Sequence, residues 1–134
     1  MPRSIQFAKY LHYRATGGID VPVELCAGRQ RVELVARLDT GAAYCIFEGR
    51  YAEELGLDLA SGRVQRFRTM AGSFEAYEHE ITIHTIGIEF TSFVFFARDK
   101  GFNRNFLGRS GWLDRIRLGI VDYDQLLLLS PYDS

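Results

Sequence analysis

The sequence predicts an all-β domain: a closed, barrel-like arrangement of short strands with one or two short helices. Three observations carry that expectation. Apolar residues recur at every second position along much of the chain, the period of a strand whose side chains alternate between two faces. Turn signals bearing glycine separate these runs at short intervals. Only segments 48–57 and 110–116 carry a helical signature, and both are brief. The chain has 134 residues, enough for a core of its own, and shows no linker, low-complexity stretch or tandem repeat. Residues 1–134 therefore read as a single domain.

The elements follow in order. Ile5, Phe7, Leu11 and Tyr13 share one parity, with Lys9 interrupting the row. Ile19, Val21, Val23 and Leu25 alternate strictly. Pro22 among them predicts an edge position, because proline has no N–H to give to a ladder. Ala27-Gly28-Arg29-Gln30 supplies a turn, and Val32, Leu34, Ala36 and Leu38 then alternate up to Asp39. Asp39 is thereby placed at the end of a strand. In 48–57, Tyr51 and Leu55 lie on one helical face and Gly56 is the C-terminal stop.

Segment 64–70 reads as a strand, and Ala71-Gly72-Ser73 as a hairpin tip. Tyr77, His79, Ile81, Ile83 and Thr85 oppose Glu78, Glu80, Thr82 and His84, the pattern of a long, half-exposed strand. Gly87 turns the chain into 88–97, where Phe93 to Phe96 is apolar on both faces and predicts a buried strand. A polar loop, 98–104, leads to a short strand ending at Gly108. Ser110 is placed to cap a brief helix through Trp112 and Ile116. Segments 117–123 and 125–130 form a last pair of strands around Asp124.

Composition excludes several classes of function. With 16 basic and 17 acidic side chains the net charge is −1, which gives no electrostatic reason to expect nucleic acid or an anionic membrane as partner. The two cysteines, Cys26 and Cys45, are too few for a disulfide scaffold or a thiolate zinc site. They read as small buried hydrophobes in a reducing compartment, and the expected location is cytoplasmic. Arg3, Lys9 and Arg14 break up any signal peptide, and the densest apolar run, Leu126 to Leu129, is far too short to span a membrane. His12, His79 and His84 fall on predicted strands without a recognisable metal-ligand spacing, and Cys45 has no evident histidine partner for thiol chemistry.

The chemistry is carried by Ala36-Arg37-Leu38-Asp39-Thr40-Gly41-Ala42, by the hairpin around Gly72, and by Asn105-Phe106-Leu107-Gly108-Arg109, in that order. Together they resemble the retropepsin-like aspartic proteases, the single-lobed relatives of retroviral proteases, over about residues 18 to 130. The resemblance implies an acid-protease-like closed barrel, peptide or protein substrates, and no metal or cofactor. It implies that Asp39 is catalytic and that Thr40, Gly41 and Ala42 form the active-site loop and hold substrate. It makes Met70, Ala71, Gly72, Ser73 and Phe74 the flap, and Phe106, Leu107 and Gly108 the support beneath the catalytic loop. It also gives the Thr40 hydroxyl a hydrogen bond across a dimer axis. Two features depart from the pattern. Ala43 stands where retroviral members often carry an aspartate that pairs with the arginine after the later glycine, here Arg109, and the flap carries one glycine.

Metal-free peptide hydrolysis needs a base for water and an acid for the substrate carbonyl. Two close carboxylates sharing one proton supply both, because like charges a few ångströms apart do not both ionise. The sequence holds a single Asp-Thr-Gly. A two-fold symmetric homodimer, placing two copies of Asp39 on its axis, is the economical solution. The rival expectation is a catalytically silent peptide- or protein-binding module on the same fold, since Asp-x-Gly is also an ordinary turn signal and a fold does not dictate chemistry.

Overall fold

The computed structural model of the chain describes residues 1–14 and 17–133. Among these, the strands are β1 (Lys9–His12), β2 (Asp20–Ala27), β3 (Gln30–Leu38), β4 (Ile46–Phe47), β5 (Arg63–Thr69), β6 (Gly72–Thr85), β7 (Ile88–Ala97), β8 (Phe106–Leu107), β9 (Ile116–Val121) and β10 (Leu126–Pro131). One α-helix, α1 (Gly49–Glu54), and 3₁₀ turns at Leu59–Ser61, Leu113–Arg115 and Asp122–Asp124 complete the chain. The all-β expectation is met.

The larger sheet runs β2-β3-β8-β4-β7-β6-β5, and β2 pairs again with β6 through Glu24–His84, Leu25–Ile83 and Cys26–Thr82. That second pairing closes β2, β3, β8, β4, β7 and β6 into a barrel and leaves β5 outside it, paired along β6 and packed through Phe67 on Tyr44 and Phe95. A separate sheet, β1-β10-β9, is built from the two ends of the chain. The alternation read from sequence fills the barrel: Val21, Val23, Leu25, Leu34, Ala36, Ile81 and Ile83 all point into one core, joined by Phe96, Trp112, Leu127 and Leu129. Each large side chain so buried stabilises the fold by about 1.5–3 kcal/mol relative to exposure.

Local chemistry explains the ends of α1. The Gly56 N–H donates to Glu53 O and the Leu57 N–H to Ala52 O, with Gly56 at φ +73°. These are the paired bonds of a Schellman stop, in which glycine accepts the left-handed conformation without steric cost. Tyr51 and Leu55 are buried, as their shared face predicts.

Several expectations are corrected. The first stretch is a strand only at Lys9–His12, although Tyr13 is buried. Ser110 caps no α-helix: the turn there is 3₁₀, begins after Trp112, and has no side-chain cap, while the Gly111 N–H is taken by Asp114 Oδ1 at 3.0 Å. The last hairpin reverses through a 3₁₀ turn at Asp122–Asp124, with Gln125 left-handed at φ 51°. Phe93 is 52% exposed, unlike Phe95 and Phe96. It shares a face with Phe95, but only Phe95 is covered, by Tyr44 and Phe67. Pro22 lies where β2 pairs with β3 but outside the β2–β6 register, so the edge expectation holds for that half of the strand alone.

Candidate active site

β3 delivers Asp39 to the rim of the barrel. Its last residues pair in parallel with β8, Arg37 beside Phe106 and Leu38 beside Leu107, and the Asp39 N–H donates to Leu107 O at 2.9 Å. The chain then turns on itself, with the Ala42 N–H donating to Asp39 O at 3.1 Å. The Gly41 N–H donates to Asp39 Oδ1 at 3.0 Å, so a backbone dipole is aimed at the carboxylate. Thr40 and Gly41 are exposed and Asp39 half-exposed.

The second loop is laced to the first. The Arg109 N–H donates to Ala42 O at 2.9 Å and the Ser110 N–H to Ala43 O at 2.8 Å. Gly108 makes this crossing possible: a Cβ there would lie 2.2 Å from Tyr44 O and 2.8 Å from Ala42 O. Leu107 is wholly buried in the core, while Phe106 is half-buried and lines the cleft beside Asp39. Asn105 heads the second motif, but its contact with Glu48 was not foreseen from the sequence. Its Oδ1 accepts the Glu48 N–H at 3.0 Å and its Nδ2 donates to Glu48 Oε2 at 2.8 Å, tying the second loop to the start of α1. Its place just ahead of Phe106-Leu107-Gly108 was the available signal.

Cys45 sits beneath both loops. It is completely buried, its sulfur accepts the Gly108 N–H at 3.3 Å, and burial pushes its thiol up to about 12. Such a thiol is neutral at ordinary pH and out of reach of substrate, so it serves packing rather than nucleophilic chemistry.

β5 and β6 form the hairpin expected between residues 64 and 85, but its tip is displaced from the expected position. Thr69 pairs with Gly72, leaving Met70 and Ala71 as the two-residue turn, and Gly72 begins β6 at φ +133°. The Thr69 hydroxyl accepts the Ala71 N–H at 3.2 Å and donates to Gly72 O at 3.1 Å. Ser73 pairs with Arg68, and Phe74 stacks on Phe67, ring centroids 5.4 Å apart. Phe74 also meets Phe102 from the loop after β7.

Asp39 and this hairpin face one another across a cleft of about 790 Å³. Ala42, Met70, Ala71, Phe74 and Phe106 line it, together with Tyr44, Phe67 and Phe102, which no sequence motif marked. Asp39 is the one carboxylate among the described lining residues.

A closed barrel with an Asp-Thr-Gly loop on its rim, and a hairpin across the cleft from it, defines the retropepsin-like aspartic-protease fold. Two of the solved structures that match show the likeness. One is a retropepsin-like aspartic protease from Rickettsia conorii, aligned over 90% of this chain and 96% of that chain, with a TM-score of 0.66 and 21% identity. Another is EIAV protease complexed with the inhibitor HBY-793, aligned over 74% of this chain and 88% of that chain, with a TM-score of 0.57 and 20% identity. At these identities the likeness is one of fold. Neither a protein-family model nor a curated protein matches the chain.

Proposed function

We propose that the chain is an aspartic endopeptidase that works as a homodimer, each copy supplying one Asp39. The observation that carries this reading is the cleft itself. It joins an aromatic wall to Arg66, Arg68 and Arg104, is overhung by a hairpin, and contains a single half-exposed carboxylate held by the Gly41 N–H. One carboxylate does not provide both the acid and the base for water attack on a peptide bond. A second copy across a two-fold axis provides the other, and the pair titrates as a unit. One member takes a proton from water while the other protonates the substrate carbonyl. The likeness to two aspartic proteases of retropepsin type supports the same reading.

Substrate enters as a strand, with its side chains alternating between the aromatic wall of Tyr44, Phe67 and Phe102 and the opposite side of the cleft. The hairpin at Met70–Ala71 closes over it and excludes water. Thr40 and Ala42 shape the loop, and Phe106, Leu107 and Gly108 support it. Two free buried cysteines suit a reducing compartment, which favours the cytoplasm.

The test is digestion of a peptide library by the wild type and by Asp39→Asn, each with and without a chelator. The expected result is cleavage by the wild type in both conditions and none by the variant. Cleavage by Asp39→Asn, or loss of wild-type cleavage to the chelator, would overturn the mechanism. Peptide binding without cleavage by the wild type would favour a silent binding module instead.

A further inference from the structure

On the outer surface of the barrel, the second pairing of β2 with β6 assembles a group that the sequence keeps far apart. Glu24 and Cys26 are two residues apart on β2 and so share a face. His84 lies directly across from Glu24 on β6, on the same face. One ligand atom from each of Glu24, Cys26 and His84 lies within 4.8 Å of the other two. Cys26 is buried, and the other two are half-buried. None of the three lines the Asp39 cleft.

We propose that Glu24, Cys26 and His84 bind a divalent transition-metal cation of the zinc type. The donor set selects the class: thiolate and imidazole favour zinc-like ions over calcium or magnesium, which take oxygen ligands. With metal–ligand bonds of about 2.0–2.3 Å, tetrahedral neighbours lie about 3.3–3.6 Å apart. Cys26 Sγ and Glu24 Oε1 already stand 3.4 Å apart, so side-chain rotation of about an ångström closes the set.

Charge balance agrees. Binding releases the Cys26 proton to solvent, and the resulting thiolate, the Glu24 carboxylate and a neutral imidazole offset a dication. The cation replaces two present contacts of Glu24: the S–H of Cys26, and the Arg31 guanidinium, whose Nη1 is 3.1 Å from Oε1. Arg31 is largely exposed, so it can swing into solvent, and an exposed pair of this kind is weak. Glu89 Oε1 stands 3.6 Å from His84 Nε2, where a carboxylate can orient the ring when Nδ1 is the ligating atom. Water takes the remaining coordination position.

The measurement is an optical titration of the reduced, metal-free full chain with Co²⁺, followed by displacement with Zn²⁺. The wild type should show a saturable thiolate-to-cobalt charge-transfer band. Cys26→Ser should abolish it. Loss of an outer partner already weakens metal sites about 10–100-fold, so His84→Gln, which removes a direct ligand, should weaken binding more than about a hundredfold. His12→Gln, on an exposed strand position, should bind as the wild type does. Absence of the band in folded wild type, its survival in Cys26→Ser, or unchanged affinity in His84→Gln would each overturn the site. The wild-type titration and His84→Gln decide the matter even if Cys26→Ser does not fold.

Discussion

Gly41 and Gly108 belong to the same pair of loops but are glycine for different reasons. A Cβ on Gly108 would strike Tyr44 O at 2.2 Å, within one subunit. A Cβ on Gly41 would meet only Asp39 Oδ1, at 3.4 Å, and its φ lies outside the left-handed region. No contact among the described residues forces glycine at 41, so under the proposed function the constraint comes from what approaches it, substrate backbone or a second copy. Gly41→Ala should therefore keep the wild-type thermal midpoint while losing most peptidase activity. Gly108→Ala should lose about 1–3 kcal/mol of stability through overpacking, read by urea unfolding. The sequence marked both glycines through the motif, but only the contacts separate the two roles.

At the scale of the element, the hairpin shows what a sequence can and does not reveal. Period-two alternation and Gly72 announced a turn, yet the tip lies at Met70–Ala71, because Gly72 uses its φ of +133° within the ladder opposite Thr69. A side chain at Gly72 would meet nothing within 4 Å, so Gly72→Ala strains the backbone alone. The expected outcome is a reduced kcat/KM with a global unfolding midpoint close to wild type, since Gly72 lies in the part of β6 that pairs with β5, ahead of the β6–β7 ladder that starts at Ala76. The Gly87 turn was legible too, but the left-handed Ile86 beside it, at φ 49°, was not, because a β-branched residue gives no signal for that conformation.

The terminal sheet carries a pH-dependent tie. The Tyr13 hydroxyl, one residue past β1, donates to Asp122 Oδ1 in the β9–β10 turn. That hydrogen bond, with burial and the negative charge of Asp122, raises the phenol from its ordinary value of 10.0 to about 12. The unfolded chain releases this proton near 10 whereas the folded chain holds it to about 12, so unfolding releases a proton in that window. The tie is complete below about pH 10 and is lost as pH rises towards about 12. Urea midpoints compared across this range should fall more steeply for wild type than for Tyr13→Phe.

For the whole molecule, strand periodicity named most core residues, because burial on one face leaves its mark on every second position. Periodicity does not name a strand's partner. The β2–β6 pairing that closes the barrel joins segments some sixty residues apart, and it brings Glu24, Cys26 and His84 together although their sequence spacing resembles no metal motif. The cleft follows the same rule. Asp39 and Phe106-Leu107-Gly108 were legible as motifs, whereas Tyr44, Phe67 and Phe102 reach the cleft from three separate segments through aromatic packing.

Sharing of one site by two chains is tested most directly by mixing. Wild type and Asp39→Asn are unfolded together, refolded at constant total concentration, and assayed on a cleaved peptide. If both carboxylates of a two-fold pair are needed, an equal mixture retains about one quarter of the wild-type activity, the fraction of dimers with two intact acids. Activity of about one half, in simple proportion to the wild-type chain, would mean that each subunit acts alone and would contradict the shared site.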